Sequence, residues 1–219
     1  MIQVATSLLN ANEEKILDII YNLDNSANDY FHIDVMDGEF VKNETHDKML
    51  NFCEYIIQAS RTPMDVHLMV KDVKNYVNSY SIFEPNIITF HYEAIDDKNK
   101  IKEMINYVKS RVRRVGLAIN PETPVEKIKE FLPYIHQVLV MTVNPGEGGQ
   151  KIIEEAVEKI KELNEIREKE NLNFDIEADG GINVENVEQL KKSGVDIIVA
   201  GTAILKAKDY KGTIKKLKN

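Results

Sequence analysis

The sequence predicts an α/β protein of the TIM-type (β/α)8 barrel class, and three observations carry that expectation. Eight short β-rich runs alternate with longer segments whose apolar residues recur at helical spacing. The 219 residues suit eight such units in one domain spanning 1–219. No GxGxxG follows the first run, which disfavours an open doubly wound sheet.

The runs are, in order, IQVA (2–5), YFHIDV (30–35), MDVHLM (64–69), NIITFH (86–91), RVGLAI (114–119), QVLVMTV (137–143), FDIEAD (174–179) and DIIVAG (196–201). Strict alternation with helices implies parallel strands joined by right-handed crossovers. The clearest helix is KIIEEAVEKIKELNEIREKE (151–170), where Ile153, Val157, Ile160 and Leu163 share a face and Glu/Lys pairs fill the other. NVENVEQLKKSG (183–194) reads as a helix stopped by Gly194, and PETPVEKIKEFL (121–132) as one with Pro124 in its first turn.

With 28 Lys+Arg against 36 Asp+Glu, the net charge of -8 repels a nucleic-acid backbone, and the only basic cluster, RVRR at 111–114, is short. Cys53 is the sole cysteine, so no intramolecular disulfide forms. The opening MIQVATSLLN lacks a signal-peptide profile and no apolar run approaches membrane length, so a cytoplasmic protein without membrane or nucleic-acid partners is expected.

A barrel places its chemistry at the C-terminal strand ends. The titratable residues obey that rule: His32 and Asp34 lie near the end of strand 2, His67 of strand 3, His91 of strand 4 and Asp179 of strand 7. Alternation sends His32, Asp34 and Met36 to one side, and Asp65, His67 and Met69 likewise. Two imidazoles and at least two carboxylates can then converge inside the barrel mouth, a mixed nitrogen and oxygen set that suits one divalent ion, Zn, Fe, Mn or Co. Any single histidine alone reads equally well as a hydrogen-bonded core residue. The carboxylates tip the balance, because a buried carboxylate is costly unless paired or metal-bound.

Glycines form the second pattern. NPGEGGQ (144–150), DGGI (179–182) and AGTAI (200–204) follow strands 6, 7 and 8. Glycine permits close backbone approach and helix N-termini offer free N–H groups, so the last two loops make a candidate phosphate cradle. Read separately, each is also an ordinary tight turn.

HIDVMDGEFVKN, DVHLMV, GLAINPETPVE, VLVMTVNPGEGGQ, DGGI and AGTAI, in this order across nearly the whole chain, resemble the ribulose-phosphate 3-epimerase family. The resemblance implies a barrel of the ribulose-phosphate-binding type and a metal-dependent isomerase of the pentose phosphate pathway, inverting C3 between D-ribulose 5-phosphate and D-xylulose 5-phosphate. It implies His32, Asp34, His67 and Asp179 as metal ligands, with Asp34 and Asp179 also the acid/base pair. Ser7, His67, Met36, Met69 and Met141 would contact the substrate, Gly180, Gly181, Gly201 and Thr202 its phosphate, and Gly146, Gly148 and Gly149 would belong to a flexible covering loop. The family's frequent assembly into dimers or hexamers implies a homo-oligomer.

Three departures stand out. Glu147 occupies a place usually aromatic in the family, VKNETHDK replaces a VPN-led loop and puts Lys42, Glu44 and His46 near the mouth, and EADGG carries Ala178 where valine is usual. Two rival readings stand beside the first. One is an epimerase of the same family acting on D-allulose 6-phosphate; the other is a catalytically silent barrel that binds metal or phosphate.

Overall fold

The computed structural model describes residues 2–219. Eight strands close into one barrel in sequence order, every neighbouring pair parallel: β1 (Gln3–Ser7), β2 (Tyr30–Met36), β3 (Met64–Met69), β4 (Ile87–His91), β5 (Arg114–Ile119), β6 (Gln137–Met141), β7 (Asp175–Asp179) and β8 (Ile197–Val199). Outside lie α1 (Ile16–Asp24), α2 (His46–Ala59), α3 (Val73–Ser81), α4 (Lys98–Lys109), α5 (Glu154–Glu170), α6 (Val187–Lys192), α7 (Thr202–Leu205) and α8 (Tyr210–Lys218). None of the described helices is long and apolar enough to cross a membrane.

The main core sits between strands and helices rather than inside the barrel. Ile33, Val35, Val66, Leu68, Ile88, Phe90 and Ala178 point outward and join the helix faces in one large apolar cluster. The inward positions are different in kind: two small apolar groups, Ala118–Leu139–Met141–Val143 and Ala5–Ile197–Val199, flank a belt of buried polar side chains. Apolar burial around the barrel thus stabilises the fold and leaves its interior free to carry polar groups.

Several boundaries differ from the sequence reading. β1 runs two residues further than IQVA, so Ser7 lies on the strand itself, paired with His32, rather than in the loop beyond. β6 and β8 are shorter than the apolar runs that contain them, because the chain peels away into the glycine loops. Residues 151–153 are not helical: the Ile153 amide donates to the Thr142 carbonyl, leaving Ile153 as the residue before α5. Of 183–194 only Val187–Lys192 is α-helix, and Gly194 stops it at φ +92° as anticipated.

The expected helix at 121–132 is absent. Two 3-10 segments, Val125–Lys127 and Lys129–Tyr134, take its place. Pro124 is extended at ψ 147° rather than helical, and Pro133 within the second segment offers no N–H. The Lys159 ammonium of α5 anchors the preceding loop instead, donating to the carbonyls of Asn120 and Thr123 at 3.1 and 2.6 Å and to that of Pro121. Burial pulls its pKa below the usual lysine value.

His46 also differs from expectation. It opens α2 and packs against Tyr76 and Tyr80 of α3, with ring centroids 4.9 and 5.8 Å apart, so it belongs to the helical shell and not to the mouth. Lys42 and Glu44 are exposed. Arg114, from the basic cluster, pairs with Asp175 at the N-terminal end of the strands, far from the glycine loops.

Inside the barrel, β5 comes close to β4 at Gly116, where an added Cβ would lie 2.2 Å from Thr89 Oγ1 and 3.0 Å from Thr89 Cβ. Gly116→Ala should therefore cost about 1–3 kcal/mol by overpacking. Urea unfolding checks this, and adding Thr89→Ala should recover part of the loss.

Candidate active site at the C-terminal mouth

The site follows from alternation and register. Pairing of β2 with β3 sets His32 beside Asp65 and Asp34 beside His67, with Met36 beside Met69 at the rim. Across the barrel, β6–β7 pairing sets Leu139 beside Glu177 and Met141 beside Asp179. The expected residues converge: His32, Asp34, His67 and Asp179 each offer a donor atom, all within 4.8 Å of one another.

Their mutual distances can be compared with what a cation requires. His32 Nε2 lies 3.3 Å from Asp34 Oδ1 and 3.7 Å from Asp179 Oδ2; His67 Nδ1 lies 3.3 Å from Asp34 Oδ1 and 3.5 Å from Asp179 Oδ2. Ligands about 2.1 Å from a tetrahedral ion stand roughly 3.4 Å apart. His32 Nε2 is fully buried and has no hydrogen-bond partner, while Nδ1 of the same ring is 2.7 Å from Asp65 Oδ2. A buried nitrogen left without a partner and aimed among carboxylates fits a cation ligand.

Electrostatics agree. Burial disfavours a charged His32, yet the Asp34 and Asp65 carboxylates outweigh it and hold its pKa well above the usual value. His67 is raised despite burial by Asp179 and Asp34. Burial alone would raise Asp34, but His32 and His67 hold its carboxyl far below the usual range. Burial and the Asp65 carboxylate push the Glu177 pKa well above the usual carboxylate range. Beyond His67, His91 is lowered by burial; Glu93, half-buried, is lowered by His91 and Thr123 despite that burial.

Above this cluster opens a cavity of about 250 Å3. It is lined by Ser7, Asp34, Met36, Met69, Met141 and Asp179 below, and by Gly146, Gly148, Gly149, Gly180, Gly181, Gly201 and Thr202 around the rim, so those residues gather as expected. His32 and His67 lie beneath its floor, fully buried. The Ser7 hydroxyl donates to Asp34 Oδ2 at 2.7 Å. Among the described residues the Gly181, Gly201 and Thr202 amides have no acceptor, and no lysine or arginine lines the cavity. Glu147 lies at the rim but is exposed, with its carboxylate free to face water. Gly181, at φ +70°, rests directly on the covering loop: a Cβ there would lie 2.6 Å from the Ile152 amide nitrogen.

The sequence reading does not single out Glu177 or Glu93, although period two offered a signal. Glu177-x-Asp179 and His91-x-Glu93 repeat the spacing of His32-x-Asp34 and Asp65-x-His67 at strand ends. Asp37 and Gly38, by contrast, form a turn, Asp37 Oδ1 accepting the Glu39 and Phe40 amides at 2.8 Å.

Fold and site together define a (β/α)8-barrel enzyme whose mouth joins a carboxylate–imidazole centre, fit for a metal ion, to a glycine-rimmed cavity for a small ligand. The profile described as the Ribulose-phosphate 3 epimerase family matches residues 3–205. Ribulose-phosphate 3-epimerase of Helicobacter pylori strain J99 is 36% identical over 99% of this chain and 97% of its own. The enzyme of that name from Methanocaldococcus jannaschii is 36% identical over 100% of this chain and 90% of its own. In fold, the chain is similar to KGPDC from Streptococcus mutans, with a TM-score of 0.74 at 13% identity, covering 99% and 95% of the two chains. The chain belongs to the ribulose-phosphate 3-epimerase family.

Because neighbouring carboxylates hold the His32 and His67 pKa values up, protons compete with an incoming cation for these rings. Metal affinity should therefore rise with pH for as long as binding releases protons from these rings, by about tenfold per pH unit for each proton released. Chelator competition at a series of pH values measures this, and a pH-independent Kd would contradict it.

Proposed function

We propose that this chain, residues 1–219 as one catalytic barrel, epimerises D-ribulose 5-phosphate and D-xylulose 5-phosphate at C3 with one divalent ion held by His32, Asp34, His67 and Asp179. The observation that supports it most is the placing of two carboxylates, Asp34 from β2 and Asp179 from β7, at one small cavity in a chain of this family. Zn, Fe, Mn and Co all suit the ligand set. Cytoplasmic location and assembly of identical copies belong to the same reading.

Inversion next to a ketone requires a proton to leave one face of the carbon and another to arrive on the opposite face. Bound beside the ketose, the divalent ion supplies Lewis-acid stabilisation of negative charge on the substrate oxygens. The protein supplies the proton carriers. Asp34 Oδ1 is engaged by both imidazoles, which leaves Oδ2, held by Ser7, as the atom that takes or returns a proton. Asp179 turns Oδ2 toward the same imidazoles, which leaves Oδ1 for the other face. The C3–H bond breaks toward one carboxylate, an enediolate spans C2 and C3, and a new C3–H bond forms from the other. In the reverse reaction the two exchange roles.

Met36, Met69 and Met141 cover the reacting carbon with apolar surface and keep water from the enediolate. The phosphate meets the Gly180–Gly181 and Gly201–Thr202 turns, whose N–H groups substitute for the absent cationic side chains. Gly146, Gly148 and Gly149 form the cover over it.

Asp34→Asn and Asp179→Asn, each assayed at saturating metal, should lower kcat by about 10²–10⁴-fold while the protein stays folded. A variant with normal turnover would remove that residue from proton transfer. Assayed on both sugars, the purified protein should prefer D-ribulose 5-phosphate to D-allulose 6-phosphate, and a chelator should abolish turnover that added divalent ion restores.

A further inference from the structure

Beyond the four ligands, a line of hydrogen bonds leads from His67 away from the cavity. His67 Nε2 is 2.8 Å from His91 Nε2, and His91 Nδ1 is 3.1 Å from Glu93 Oε2. Glu93 Oε1 accepts from the Asn120 amide at 2.8 Å and from the Thr123 hydroxyl. Both imidazoles are fully buried and stack at 5.0 Å between centroids, with Phe40 closing the far face of His91 at 4.9 Å.

Two facing imidazole nitrogens can share only one proton, and the neighbours decide who holds each one. His67 presents Nδ1 to Asp34 and Asp179, so a cation there takes the Nδ1 lone pair and leaves the proton on Nε2. His91 Nε2 must then accept, which puts the His91 proton on Nδ1, facing Glu93. Glu93 ends the line with two accepting oxygens. Every donor has one acceptor, and no other assignment with Nδ1 bound satisfies all of them.

We propose that His91 and Glu93 are positioning residues that fix the tautomer and ring orientation of His67, so that its Nδ1 is aimed at the cation site. The proposal rests on the four-ligand reading above. It gives each ligand histidine an outer carboxylate: His32 reaches Asp65 directly, and His67 reaches Glu93 through a second imidazole. The relay is anchored outside the barrel, since the loop carrying Asn120 and Thr123 is gripped by Lys159 of α5.

The test measures Zn and Co(II) affinity by chelator competition, with the visible spectrum of the Co(II) form as a second readout. Glu93→Gln keeps size and shape but loses the anionic acceptor; His91→Leu keeps volume but offers His67 no acceptor. Both should weaken binding by about 10–100-fold and alter the Co(II) spectrum. His91→Gln, whose carbonyl can still accept from His67, should recover part of the affinity. A purely structural role would lower the metal-free Tm and leave Kd and spectrum as in the parent protein; that result overturns the proposal. If His91→Leu does not fold, Glu93→Gln decides. A parent protein that binds neither ion overturns the four-ligand reading and the relay with it, whereas tight binding by parent and folded variants alike overturns the relay alone.

Discussion

The register between β2 and β3 is the constraint on which the site depends. Six consecutive pairs, from Phe31 beside Met64 to Met36 beside Met69, fix which side chains enter the barrel together. His32 and Asp65 share one level, Asp34 and His67 the next. A slip of β2 by one residue would turn Ile33 and Val35 inward and drive His32 and Asp34 into the apolar layer beneath the helices, and a slip of β3 would do the same with Val66, Leu68, Asp65 and His67. The outward faces therefore hold the polar site in place: every aliphatic residue packed under α2 and α3 also fixes the depth of a titratable group inside.

Burial of so many ionisable groups is tolerable because few of them stand alone. Ser7, His32, Asp34, Asp65, His67, His91 and Glu93 each contact at least one polar partner, and Glu177, whose pKa burial pushes up toward the neutral form, accepts from Gln137. The belt has one buried nitrogen without a partner, His32 Nε2, and that atom faces the carboxylates of the mouth. An interior built this way has little freedom to rearrange, which suits a site whose ligands must lie within tenths of an ångström of their working positions.

The sequence makes the barrel and the convergence of His32, Asp34, His67 and Asp179 legible because both rest on short-range periodicity. Period-two alternation in HIDVM and MDVHLM is enough to align His32, Asp34 and His67 once the strands are assumed parallel. Legibility fails where geometry depends on partners far away in the chain. The 121–132 segment has helical spacing, but Pro124 and Pro133 shorten its turns and Lys159, from the next helix but one strand on, fastens its carbonyls. His46 stands in a loop the sequence places at the mouth, yet Tyr76 and Tyr80 draw it into the shell. The spacing His91-x-Glu93 hints at Glu93, but its partners Asn120 and Thr123 come into view when β4 and the loop after β5 lie side by side.

The contact beneath Gly181 bears on how this scaffold can change. Its α-carbon hydrogen lies against the backbone of residues 150–152, with no room there for a side chain, and the Ile153 amide just beyond is tied to Thr142. The two loops after β6 and β7 therefore share a floor, and that floor is main chain, indifferent to which side chains residues 150–152 carry. Within the tip at 145–149, drift falls most easily on Pro145 and Glu147, since Gly146 and Gly149 hold φ of +109° and +80° and a Cβ at Gly148 would lie 2.4 Å from the Asn10 side-chain amide. An insertion at 150–152 would lift the covering loop off its neighbour and open the cavity wall, so diversification of ligand preference on this barrel is channelled into the short window of that tip.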